Sequence, residues 1–69
     1  MRRQVVSSTN ISEIGYDADR RTLEVAFKSG TVYQYFDVPE RIYEDLIRAS
    51  SIGQYLNTNI KGQYRYARV

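Results

Sequence analysis

The sequence predicts an α+β domain: a three-stranded antiparallel β-meander followed by two helices, with a short fourth strand open as an option at the C-terminus. Three observations carry that expectation. From Thr22 to Lys28 the chain alternates, with Leu23, Val25 and Phe27 on one face and Glu24 and Lys28 on the other. Ser29-Gly30 then marks a hairpin turn into Thr31–Phe36, a run rich in β-branched and aromatic residues. Beyond Pro39 the apolar spacing changes to the 3.6-residue period of a helix. A curled sheet covered by helices on one face buries both sets of apolar residues.

Each element has its own local reasons. Residues 1–9 are polar and basic and read as a flexible or partly ordered arm of a single domain spanning 1–69. The first meander strand begins at Ile11 and runs through Ile14 and Tyr16, and Gly15 inside it signals a bulge or a close backbone approach. Asp17-Ala18-Asp19-Arg20 is a turn, because an aspartate side chain can bond the amides that follow it. In the next hairpin, a two-residue loop at Ser29-Gly30 pairs Phe27 with Val32, Val25 with Gln34 and Leu23 with Phe36. That register is preferred, and it puts Tyr33 and Tyr35 on the face of Ala26 and Glu24. A three-residue loop would instead set Phe27 beside Tyr33 and leave Val32 outside, since one residue of slip exchanges the faces. Gln34 on the apolar face counts against the first arrangement.

Asp37 is the expected N-cap of the first helix, with Glu40 three positions on and Pro39 in the first turn. The helix should run to about Ser50, turning Ile42, Tyr43, Leu46, Ile47 and Ala49 inward. Ser51 caps a second, short helix with Gln54 at the third position, an apolar face of Ile52, Tyr55, Leu56 and Ile60, and Gly62 as its terminator. Tyr64 to Val69 alternates weakly, as a fourth strand or an ordered tail would.

Composition excludes several kinds of chemistry. A chain of 69 residues holds one small core, and it has neither cysteine nor histidine. Disulfides, cysteine-based metal sites, histidine triads and haem attachment are therefore excluded. The longest apolar run is Val25 to Phe27, so no membrane span or signal-peptide core is expected, and a soluble cytoplasmic protein is the default. Asp17 and Asp19 lack the calcium-loop pattern around them, Ser7 and Ser8 have no activating base, and Lys28 and Lys61 are expected to be exposed and protonated. The expectation is a non-enzyme with no metal and no cofactor.

Charge and tyrosine content point toward binding. The net charge is only +2, yet all eight acidic residues fall before Arg48, while Arg48, Lys61, Arg65 and Arg68 make the last third wholly basic. A one-signed end can steer a polyanion, or simply keep a small protein soluble. There are seven tyrosines, each a flat apolar ring with a polar tip suited to interfaces and base stacking. Tyr33 and Tyr35 alternate on a strand, as do Tyr64 and Tyr66 beside Arg65 and Arg68, while Tyr16, Tyr43 and Tyr55 suit the core. Gly53 in the first turn of a helix costs up to about 1 kcal/mol against alanine, so close packing, or an anion at the free amides, should account for it.

The ordered set Ser8 with Ile11, Ile14-Gly15-Tyr16-Asp17, Leu23-Glu24-Val25 with Phe27, and Ser29-Gly30 with Val32-Tyr33 and Tyr35 resembles the KTSC domain. The likeness continues through Val38-Pro39, Tyr43 with Leu46, Ala49, Ser51, Gly53, Tyr55 and Asn57 to Ile60-Lys61 and Tyr64. That family is named for its place at the C-terminus of some lysyl-tRNA synthetases, and it also occurs as a free-standing protein in bacteria and phages. The resemblance implies an RNA-binding role and brings no catalytic residues. The candidate nucleic-acid contacts are Tyr33, Tyr35, Arg48, Ser51, Gly53, Asn57, Lys61, Tyr64, Arg65 and Arg68. The alternative is a protein-interaction or self-associating module, since an exposed edge strand can recruit another chain.

Overall fold

The computed structural model describes all residues, 1–69. Five strands form one antiparallel sheet in strict sequence order: β1 (Arg3–Val5), β2 (Ile11–Asp17), β3 (Thr22–Phe27), β4 (Val32–Tyr35) and β5 (Tyr66–Arg68). Helices α1 (Glu40–Arg48) and α2 (Ile52–Asn59) lie between β4 and β5. The expected meander and helix pair are present, and the C-terminal alternation is indeed a strand. The N-terminal arm supplies a further edge strand, β1, which pairs Arg3 with Gly15 and Val5 with Glu13. Gly15 marks the close approach rather than the bulge: a Cβ there would meet the Arg2 carbonyl oxygen at 2.8 Å. The bulge falls between Ile11 and Glu13.

The β3–β4 register corrects the preferred reading. Val25 faces Tyr33 and Leu23 faces Tyr35, while Ala26 faces Val32 and Glu24 faces Gln34. The loop is Lys28-Ser29-Gly30, closed by Phe27 N–H donating to the Thr31 carbonyl at 2.8 Å and Gly30 N–H donating to the Phe27 carbonyl at 2.9 Å. Gly30 sits at φ 97°, the left-handed position that a three-residue hairpin loop requires. Tyr33 and Tyr35 therefore share the core face with Val25 and Leu23.

That face meets both helices. Ile11, Ile14, Leu23, Val25, Val38, Leu46, Leu56 and Ile60 are fully buried between the layers. Tyr16 and Tyr43 stack with centroids 4.9 Å apart, and the Tyr16 hydroxyl donates to the Val38 carbonyl. The Asp17 turn forms as expected, its Oδ1 accepting from the amides of Asp19 and Arg20.

The first helix starts differently from the expectation. Pro39 occupies the N-cap position and makes no side-chain cap, and Asp37 is held at φ 58° with its carboxylate on Arg65 Nη2 at 2.7 Å. The helix also ends at Arg48 rather than Ser50. Ser51 does cap α2, its Oγ accepting from the Gln54 amide at 3.3 Å.

The opposite face of the sheet carries no helix, yet Glu24 on it is only 8% exposed. Arg3 Nε reaches Glu24 Oε2 at 2.7 Å, and Gln34 Nε2 donates to Oε1 at 2.8 Å. Both oxygens of this buried carboxylate are thus satisfied, as burial of a charge demands.

Candidate nucleic-acid interface

Six of the ten candidate residues gather in two clefts that a third joins. The first, of about 710 Å³, opens where the loop Ser7–Asn10 faces the start of α2. It brings together Ser51, Gly53 and Asn57 from the candidate contacts and adds Ser8, Asn10 and Lys28. Ser8 orders the loop: its Oγ accepts from the amides of Asn10 and Ile11 and donates to Asn10 Oδ1. The Asn10 carbonyl in turn accepts from Lys28 N–H at 2.9 Å, which ties the hairpin to the loop. Gly53 packs close to this loop, and a Cβ there would lie 3.1 Å from the side-chain oxygen of Asn10.

The second cleft, of about 400 Å³, is walled by Tyr33, Tyr35, Tyr66, Lys61 and Gly62. Its rings touch one another at an angle: Tyr33 and Tyr66 have centroids 5.7 Å apart at 72°, and Tyr35 and Tyr66 are 5.9 Å apart at 39°. Tyr35 is the floor, 3% exposed, and burial pushes its phenol pKa up, with Tyr33 and Tyr66 adding to the shift. Tyr66 is the rim, 61% exposed. Arg68 lies across from Tyr33 in the β4–β5 register. Beyond Gly62 the surface continues past Tyr64 to Arg65, whose guanidinium lies 5.6 Å from the Phe36 ring centre.

A cleft of about 460 Å³ connects the two. It shares Asn10 and Lys28 with the first and Tyr33 and Lys61 with the second. Phe27 lies in this middle stretch, with Lys61 Nζ 5.8 Å from its ring centre. The result is one groove that runs from the hydroxyls and amides at the start of α2, between two lysines, to the tyrosines of β4 and β5. None of the eight acidic residues lines it. Arg48 stands apart, hydrogen-bonded back to the Glu44 carbonyl of its own helix. Lys28, Asn10, Ser8 and Tyr66 were absent from the sequence-derived contacts. Tyr66 had a signal in its alternation with Tyr64, but Lys28 reads in sequence only as an exposed strand end.

Residues 7–64 match the family model described as KTSC domain. The chain belongs to the KTSC domain family. This KTSC domain is 39% identical over its whole length to an uncharacterized protein of Stutzerimonas stutzeri, of which it covers 99%. It is 43% identical to part of a lysine–tRNA ligase of Nostoc punctiforme, aligning over 81% of this chain but only 10% of the ligase. The crystal structure of a KTSC domain protein from Yersinia pestis superposes with a TM-score of 0.96 at 41% identity, covering 99% of this chain and 96% of that one. The family match stops short of both edge strands, β1 and β5. No helix of this domain is long and apolar enough to cross a membrane.

Proposed function

We propose that this KTSC domain is a non-catalytic nucleic-acid-binding module, with RNA as its ligand, acting in the cytoplasm. The observation that carries the reading is the continuous groove with Lys28 and Lys61 at its centre, tyrosines at one end and no carboxylate along it. Lysines can neutralise phosphates, hydroxyls and amides can contact phosphate and ribose, and exposed rings can take bases. The kinship with a stretch of lysine–tRNA ligases supports the same reading. With so few cations the affinity is modest and strongly salt-dependent.

A backbone-amide NMR titration with short RNA, at about 50 mM and then about 200 mM salt, tests this. Shifts at Asn10, Lys28, Gly53, Lys61 and Tyr66 that shrink at the higher salt are expected. Undisturbed spectra at the lower salt would sink the proposal. A protein-interaction role is the second reading, favoured by the helix-free sheet face, where Val5 is 80% exposed in the row that holds Ala26 and Val32. Under that reading a protein partner or a second copy would shift those residues instead.

A further inference from the structure

We propose that the tyrosine cleft receives an unpaired base, so that the groove selects single-stranded RNA over duplex. This rests on the nucleic-acid reading above and specifies its substrate class. Tyr66 presents a large ring at 61% exposure on the edge strand of the sheet, an arrangement that leaves apolar surface in water unless something covers it. Its contacts with Tyr33 and Tyr35 are made at 72° and 39°, so neither neighbour is stacked flat on it, and the exposed ring lines the cleft. Tyr33 and Tyr35 are anchored in β4 by the ladder to β3, so wall and floor are rigid before any ligand arrives.

The cleft takes a planar, weakly polar group with an anion beside it. Lys61 lines both this cleft and the connecting one, and its Nζ stands 5.8 Å from the Phe27 ring centre. A base resting against Tyr66 thus places its phosphate toward Lys61, and the strand continues along the groove toward Lys28. A paired base has both faces occupied by its neighbours in the stack and cannot present one to Tyr66. RNA-binding modules in general read unstacked bases on aromatic rings for this reason. The walls offer rings, Gly62 and one ammonium rather than a set of side-chain amides, so the cleft is tolerant of base identity.

The test measures binding of a short single-stranded RNA and of the same strand annealed to its complement, under matched low-salt conditions. Tyrosine emission and fluorescence anisotropy are read together. The single strand is expected to bind about tenfold or more tightly and to quench tyrosine emission. Tyr66→Leu is expected to erase that preference by weakening the single strand alone, while Tyr66→Phe, which keeps the ring, retains it. Far-UV circular dichroism confirms that each variant is folded, and the exposed position of Tyr66 makes both substitutions tolerable. Equal binding of single strand and duplex, or a Tyr66→Leu protein that still prefers the single strand, overturns the inference and leaves the nucleic-acid reading standing. Binding of neither form overturns both.

Discussion

Gly53 and Asn10 touch across the polar cleft, so closely that a methyl group on Gly53 would lie 3.1 Å from Asn10 Oδ1. Asn10 is exposed, and its side chain is held only by the Ser8 hydroxyl at 3.3 Å, so it can swing aside. Gly53→Ala should therefore stabilise the fold by up to about 1 kcal/mol through helix propensity. It should also weaken RNA binding, because the displaced asparagine narrows the groove. Urea unfolding and an RNA titration on the same variant check both halves. A loss of stability would show that Asn10 cannot move.

The lysines of the groove should act as independent point charges. Replacing Lys28 or Lys61 by glutamine should flatten the plot of log affinity against log salt by about 0.7 for each phosphate left without its lysine. Arg48→Gln should leave that slope alone, since Arg48 lies off the groove and bonds to its own helix. Equal slopes for all three variants would reject this path for the backbone.

Behind the sheet, Arg3 holds the buried Glu24 carboxylate at 2.7 Å. Arg3→Gln leaves a buried charge with only Gln34 to answer it, and should cost about 1–3 kcal/mol. Arg2→Gln, which changes the net charge equally, should cost almost nothing. A matched loss in both variants, measured by thermal or urea unfolding, would mean that overall charge rather than this pair matters.

Tyr35 makes the fold sensitive to alkali. Its folded pKa is raised above the ordinary 10.0, chiefly by burial, so the folded state keeps the phenolic proton longer than the unfolded chain does. Its contribution is fully present below pH 10.0 and is lost as pH rises from there through the folded value. Urea midpoints should fall above that pH, and Tyr35→Phe should make the fall shallower. An unchanged pH profile in Tyr35→Phe would assign the effect to other groups.

In the core, Leu46→Ala empties a fully buried position between α1 and the sheet and should cost about 2–5 kcal/mol. In a domain with one small core that approaches the whole stability. Broadened amide spectra at room temperature are expected, and a well-dispersed native spectrum with an unchanged urea midpoint would contradict them.

Local chemistry was legible where partners are close in sequence. The Ser51 cap, the Asp17 turn and the apolar stripe around Leu46 all follow from residues within one or two turns of each other. Asp37 misled because its pattern with Glu40 fits a cap, while the residue that claims its carboxylate is Arg65, 28 positions away. The hairpin register hinged on whether Gly30 closes a two- or a three-residue loop, and Ser29-Gly30 suits either. Gln34 carried the deciding hint, because its amide belongs with Glu24 on the polar row. For the site, Ser51, Gly53 and Asn57 stand among the contacts that the family resemblance implies, but nothing in the sequence brings Lys28 to them. That meeting depends on the backbone bond from Lys28 to Asn10.

The strict β1-β2-β3-β4-β5 order also governs when each part of the groove can form. The first four strands pair only with immediate sequence neighbours, so each ladder can close as soon as its hairpin exists. β5 is different, because both helices intervene before Tyr66 meets Tyr35. The tyrosine rim therefore closes the longest loop in the sheet, and it forms after the hairpins that precede it.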